Sequence, residues 1–242
     1  MSDATEPIDL SVVIPAYNEE SRLPATIRAV EKYLADRGGA WELIVVDDGS
    51  RDGTVAAAEG AFSSPGSRVL RNPANMGKGA SVKNGMLAAR GRLRLFSDAD
   101  LSTPIEEFEK LAKALEGGAQ VAIGSRAMAE SRLEKRQPIH RETMGRVFNL
   151  IVRAVALGGI KDTQCGFKLF TAEAARAVFP RQRLNGFSFD VETLVLARKL
   201  GFRIAEVPVR WIDSPNSRVS PVRDSLRMFA DVVRIRFRRE DD

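Results

Sequence analysis

The sequence predicts an α/β fold, with a mostly parallel central sheet flanked by helices in a single domain. Three observations predict it. Short β-branched or apolar runs alternate with longer stretches whose apolar residues recur at helical spacing. The breaks after several runs carry acidic and polar residues, as expected where ligands bind beyond the carboxyl ends of parallel strands. The chain has 242 residues, enough for one domain with a sizeable core.

The elements follow in order. The N-terminus, residues 1–9, is polar and acidic and is expected to be flexible, without a signal-peptide pattern. Leu10 to Ile14 reads as the first strand, broken by Pro15-Ala16-Tyr17-Asn18-Glu19. A helix is expected from Leu23 to Asp36, with Leu23, Ile27, Val30 and Leu34 on one face and Gly38-Gly39 ending it. Trp41 to Val46 is the second strand, with Asp47-Asp48-Gly49-Ser50 at its end. Arg68 to Arg71 is a short third strand. The loop Asn75-Met76-Gly77-Lys78-Gly79 then enters a helix running to Ala89.

The fourth strand, Leu93 to Phe96, ends in Ser97-Asp98-Ala99-Asp100. Pro104 is expected to open a helix, with Ser102 or Thr103 as its cap and Glu106 and Glu107 in the first turn. Phe108 to Leu115 is helix and Gln120 to Ile123 is strand, followed by Gly124-Ser125-Arg126. Residues 130–146 read as a basic loop, and an apolar helix follows from Val147. Together these fit either a membrane-surface element or a loop over a core helix. Asp162 to Phe170 ends apolar, and Asn185 to Glu192 leads into a helix reaching Leu200. Ile204 to Trp211 is a last strand, placed at an edge by Pro208. Residues 221–242 read as a basic amphipathic helix, suited to an anionic membrane surface or to docking on residues 10–220.

Composition narrows the function. Net charge is +5, which suits a phosphate-bearing substrate or an anionic membrane. Aromatic residues are few and no basic-aromatic surface appears, which argues against nucleic acid. One histidine, His140, argues against zinc catalysis and a Cys/His pair, and one cysteine, Cys165, fits a reducing cytoplasm. No apolar run is long enough to span a bilayer, so the chain is expected to be cytoplasmic, with at most peripheral membrane contact. The first strand lacks a glycine-x-glycine-x-x-glycine turn, and Gly77-Lys78-Gly79 lacks the spacing of a Walker loop.

Asp98 and Asp100 are the centre of the chemistry. Two carboxylates held together need a counter-charge. A divalent cation, Mg²⁺ or Mn²⁺, provides it with carboxylate oxygens and substrate phosphates as ligands. Ala99 between them leaves room for a ligand. Two solvated aspartates in a turn are the alternative. Arg126 could grip a diphosphate bidentately or form a surface ion pair. Asp190 and Glu192 could be helix N-terminal charges.

Val13-Ile14-Pro15-Ala16-Tyr17-Asn18-Glu19, Val45-Val46-Asp47-Asp48-Gly49-Ser50, Asn75 to Gly79 and Asp98-Ala99-Asp100, in this order and spacing, resemble a family-2 glycosyltransferase of GT-A fold. Gly124-Ser125-Arg126, Asp162 to Phe170 and Phe189-Asp190-Val191-Glu192 resemble one branch, the dolichyl-phosphate β-glucosyltransferases, sister to the dolichyl-phosphate mannosyltransferases. The resemblance runs from about Leu10 to Arg238. It implies inverting transfer of a hexose from a nucleotide sugar to a polyprenyl phosphate, with UDP-glucose ahead of GDP-mannose as donor. It implies a nucleotide site made by Pro15, Ala16, Tyr17, Glu19, Val46, Asp47, Asp48, Lys78, Ser97, Asp98 and Ala99. Asp98 and Asp100 would carry the metal, Asp100 most directly. Lys78, Arg126 and Arg218 would face phosphates, and Asp162, Gln164, Asp190 and Glu192 would line the sugar and acceptor side.

Two departures stand out. Ser102 occupies the place where the mannosyltransferases carry glutamine. The eukaryotic glucosyltransferases of the branch carry an N-terminal membrane anchor, so here membrane contact is expected to rest on the basic loop and the C-terminal helix. A hydroxyl acceptor, which would require a carboxylate base, and a nucleotidyltransferase are the rival readings.

Overall fold

The computed structural model describes residues 7–135, 152, 157–213, 231, 232, 234 and 235. The predicted alternation folds as a seven-stranded sheet with helices on both faces. Its first strands are β1 (Leu10–Ala16), β2 (Trp41–Asp47), β3 (Ser67–Arg71) and β4 (Leu93–Ser97). These are followed by β5 (Val121–Ser125), β7 (Phe167–Thr171) and β8 (Ile204–Pro208). The spatial order is β3-β2-β1-β4-β7-β5-β8. β1 pairs in parallel with β2 and β4, and β8 in parallel with β5. β7 runs antiparallel to both its neighbours, β4 and β5.

The central strands are buried on both sides, so they read as mainly apolar runs, each interrupted by at most one polar or charged residue before its end, such as Ser11, Glu42, Arg94 and Lys168. Alternate residues still face opposite layers. Val13 joins Val46, Met86, Phe96 and Phe189 in one core, while Val12 and Ile14 join Leu34, Leu43 and Phe108 in the other. The second layer is closed by α1 (Leu23–Arg37) and α4 (Phe108–Glu116). The first is closed by α3 (Lys78–Ala88), α5 (Ala172–Val178) and α6 (Phe189–Lys199). α2 is the short helix Thr54–Glu59. Gly85 lets α3 lie close on the sheet, because a Cβ there would stand 2.3 Å from Val13 Cγ1.

Four expectations change. The segment after Pro104 starts as a 3₁₀ turn, Ile105–Glu107, with no side-chain cap from Ser102 or Thr103. The loop expected from residue 130 contains a strand, β6 (Arg132–Lys135). Ile204 to Trp211 is two strands, because after Pro208 the chain leaves the large sheet. There β9 (Arg210–Ile212) pairs in parallel with β6. Ile8 and Asp9, expected to be flexible, are tied down, accepting backbone hydrogen bonds from Arg92 and Leu93. The rest of the basic loop, most of the apolar helix from Val147, Arg218 and nearly all of the C-terminal helix lie outside the described residues. Among the described residues no helix is long and apolar enough to cross a membrane.

Candidate active site

A cavity of about 440 Å³ opens at the carboxyl ends of β1, β2 and β4. Pro15, Ala16, Tyr17 and Glu19 line it from the end of β1, Asp48 from the end of β2, and Asp98, Ala99 and Asp100 from the end of β4. Lys78, at the start of α3, closes one side.

Local backbone explains why these groups converge. β4 stops at Ser97, and a turn in which Leu101 N donates to Asp98 O carries both aspartates out of the strand. Leu101 adopts φ 46°, an uncommon left-handed conformation for a branched side chain. Asp98 is held from behind by β7's approach. Its N–H donates to Gly166 O at 3.0 Å, and a Cβ on Gly166 would stand 2.1 Å from Asp98 Oδ2. Asp48 accepts hydrogen bonds from Asn72 Nδ2, Met76 N and Gly77 N, and so shapes the loop that delivers Lys78. Gly77, at φ 101°, is the residue that loop requires.

The electrostatics favour a cation. Lys78 Nζ lies 2.5 Å from Asp98 Oδ1. That oxygen is buried and accepts no hydrogen bond of regular geometry among the described residues, so the contact is an ion pair and not a directed bond. Burial acts to lower the Lys78 pKa, but Asp98, Asp190 and Asp100 outweigh it and hold the ammonium above the usual lysine range. Asp100 Oδ1 accepts from Ser102 N at 2.9 Å, and Oδ2 stands 4.0 Å from Arg22, which is itself paired to Glu19 at 2.7 Å. Two carboxylates lining one open cavity fit Mg²⁺ or Mn²⁺, which take one or two protein carboxylates and fill their shell with phosphate and water. Among the described residues no cluster of three or more metal-ligating side chains exists, so they form no all-protein cage among themselves.

Other predicted site residues lie elsewhere. Val46 is fully buried in the core, and Ser97 is buried at the strand end. Asp47 accepts from Ser50 N and fixes the turn after β2. Arg126, expected to face phosphate, places Nε and Nη2 on Asp162 at 2.7 and 2.9 Å and its backbone N–H on Asp162 at 3.0 Å. Its guanidinium also stacks 5.6 Å from the Trp211 ring centroid. Burial opposes the charge on Asp162, but Arg126 prevails and holds the carboxyl below its usual range. Asp162, expected on the acceptor side, is therefore committed to Arg126. Gln164 donates its backbone N–H to the same carboxylate. Glu192 accepts from the N–H groups of Arg183 and Leu184 and fixes the loop before α6. Asp190 pairs with the buried Lys168, and burial holds its carboxyl above the ordinary range, with the Asp98 charge adding and Lys168 and Lys78 opposing.

Sequence reasoning missed Arg22, Ser81, Gly186 and Phe187 as cavity residues, and it quoted Asn75 and Gly77 as motif residues without assigning them to the site. Arg22 carried a signal, as the cation closest in sequence to Glu19. Gly186 and Phe187 carried none; a contact between distant loops brings them in. Gly79 N donates to Asn185 O at 2.7 Å, and a Cβ on Gly79 would stand 2.5 Å from Leu184 O.

Residues 11–179 match the model of glycosyl transferase family 2. The chain is 39% identical over 248 residues to a dolichyl-phosphate beta-glucosyltransferase of Dictyostelium discoideum, covering 96% of this chain and 76% of that protein. It is 40% identical to the dolichyl-phosphate beta-glucosyltransferase of Drosophila melanogaster, covering 94% of this chain and 74% of the relative. For the Homo sapiens enzyme of that name the identity is 37%, covering 95% and 75%. Among solved structures, glucosyl-3-phosphoglycerate synthase from Mycobacterium tuberculosis, in complex with Mn²⁺, UDP-glucose and phosphoglyceric acid, superposes with a TM-score of 0.69. That match has 22% identity and covers 94% of this chain and 78% of that one. Its likeness is one of fold. The chain belongs to glycosyl transferase family 2 and is a glycosyltransferase of GT-A fold.

Proposed function

We propose that the protein transfers glucose from UDP-glucose to dolichyl or another polyprenyl phosphate, with inversion at the anomeric carbon and with Mg²⁺ or Mn²⁺ bound at Asp98 and Asp100. The observation that carries this reading is the meeting of Asp98, Asp100 and Lys78 in one cavity at the carboxyl edge of the sheet. The extent and identity of the match to dolichyl-phosphate beta-glucosyltransferases support the sugar and the acceptor.

The roles follow from charge and position. The base and ribose lie against Pro15, Tyr17 and Glu19, with Asp48 beside them. When bound, the metal neutralises the negative charge that develops on the departing diphosphate. Lys78 supplies a further fixed positive charge on that side. The lipid phosphate is already an anion near neutral pH, so it needs positioning more than a strong general base. Asp190 is then not required to take a proton. Contact with the membrane is peripheral, through the basic residues of 130–146 and 221–242, on the cytoplasmic face.

A donor panel tests the reading. UDP-glucose, GDP-mannose and other nucleotide sugars are offered with Mg²⁺ or Mn²⁺, and label is followed into polyprenyl phosphate and into soluble alcohols. Glucose appearing in the polyprenyl phosphate fraction is the expected result. Label appearing only in soluble alcohols, or pyrophosphate release from a nucleoside triphosphate, overturns it.

A further inference from the structure

Lys168 is wholly buried on β7, in the middle of the large sheet, between β4 and β5. An ammonium in such a place is strongly unfavourable unless it is paired and hydrogen-bonded. Its Nζ donates to Cys165 O at 2.8 Å, stands 5.1 Å from the Phe96 ring centroid, and makes a very short contact with Asp190 Oδ1. A well-packed apolar pair is generally at least as stable as a buried ion pair of this kind, so stability alone gives no reason for the two charges.

Position gives one. Asp190 is the second residue of α6, next to Phe189, whose ring centroid lies 6.0 Å from Lys78 Nζ. Three charged groups act on its carboxylate: Lys168 from β7, Lys78 from the start of α3, and Asp98 from beyond β4. The last two belong to the cavity wall. Asp190 Oδ1 is taken by Lys168, while Oδ2 receives no hydrogen bond from a described residue. The pair thus reaches from the centre of the sheet to the back of the Lys78–Asp98 side of the cavity.

We propose that Lys168 is a positioning residue for glycosyl transfer: its ammonium fixes Asp190 Oδ1, and with it the first turn of α6, behind the Lys78–Asp98 wall of the cavity. The role rests on the transferase reading above. Without Lys168, burial would drive Asp190 to take up a proton, and its carboxyl would turn from acceptor to donor.

The test compares Lys168→Met, Asp190→Asn and the double variant, Lys168→Met with Asp190→Asn. The infrared carbonyl band of a protonated, buried carboxyl should appear near neutral pH in Lys168→Met. It should be absent from the wild type and from the double variant. In Lys168→Met, kcat for UDP-glucose should fall on the order of 10²-fold and recover as pH is raised, while the affinity for UDP with Mn²⁺ changes by less than about twofold. Loss of the Lys168 side chain should cost no more than Asp190→Asn, and the double variant should match Asp190→Asn. A silent carbonyl band with a wild-type pH profile overturns the proposal, as does UDP affinity falling in step with kcat. If Lys168→Met does not fold, the double variant decides, since it leaves no buried charge unpaired. A kcat far below that of Asp190→Asn then overturns the role. A wild type inactive with every donor overturns the transferase reading and the positioning role with it. An active wild type with a silent band overturns the positioning role alone.

Discussion

Lys78 and Asp98 form an ion pair in the cavity wall, 2.5 Å between Nζ and Oδ1, yet one ammonium serves two carboxylates there. Arg22 stands 4.0 Å from Asp100 but is shared with Glu19. The group is therefore short of positive charge. Chelation should abolish transfer and Mg²⁺ or Mn²⁺ should restore it, read as sugar incorporation. Asp100→Asn should abolish measurable transfer.

Gly166 offers a separate handle on the same carboxylate. A Cβ there would overlap the Asp98 carboxylate, which is the movable end of a side chain, so the fold should tolerate Gly166→Ala. Unfolding temperature is expected to shift by no more than about 4 °C. Mn²⁺-dependent UDP binding, measured calorimetrically, should weaken at least about tenfold because the carboxylate is pushed out of place.

The acceptor class can be read from two variants. With a lipid phosphate as acceptor, Asp190→Asn should keep measurable turnover while Asp100→Asn is inactive. Equal inactivity of both in a single-turnover assay would point to a hydroxyl acceptor that needs a carboxylate base.

Arg126 and Asp162 predict an acid limb in stability. Asp162's folded carboxyl lies below its usual range, so its contribution is complete above the unfolded value of about 3.9 and is lost as pH falls through the folded value. Asp162→Asn leaves Arg126 largely buried without its counter-charge and should cost about 3 kcal/mol at neutral pH. Denaturant titrations from neutral pH to about pH 3 should find a steeper acid loss in the wild type than in the variant.

Cys165 should be inert. Burial, with Asp162 adding, pushes its thiol up to about 11, and Thr103 Oγ1 packs 3.6 Å from the sulfur. Alkylating reagents at neutral pH should label it only on the unfolding timescale.

Much of this was legible in the chain. Leu10 to Ile14, Trp41 to Val46 and Leu93 to Phe96 are apolar runs broken only by Ser11, Glu42 and Arg94, and each is a strand leading into cavity residues. What escaped has physical causes. Arg132 to Lys135 has a single apolar residue, Leu133, so no alternation marks it as a strand. The direction of Phe167 to Thr171 is invisible, because burial on both faces looks the same for either orientation. Arg126 and Asp162 are 36 residues apart, and only the folded chain makes them partners. Asp48, correctly placed in the cavity, also holds the Met76 and Gly77 backbone, a duty that no local pattern encodes.

The reversed strand Phe167–Thr171 fills a slot that β4 and β5 leave between them, and it is the sole bridge between those two within the large sheet. A ribosome that has released only the first half of the polypeptide has thus delivered both aspartates but not the wedge that backs them. Competence to bind donor should emerge late in synthesis, once Gly166 and the strand after it have slid into that slot.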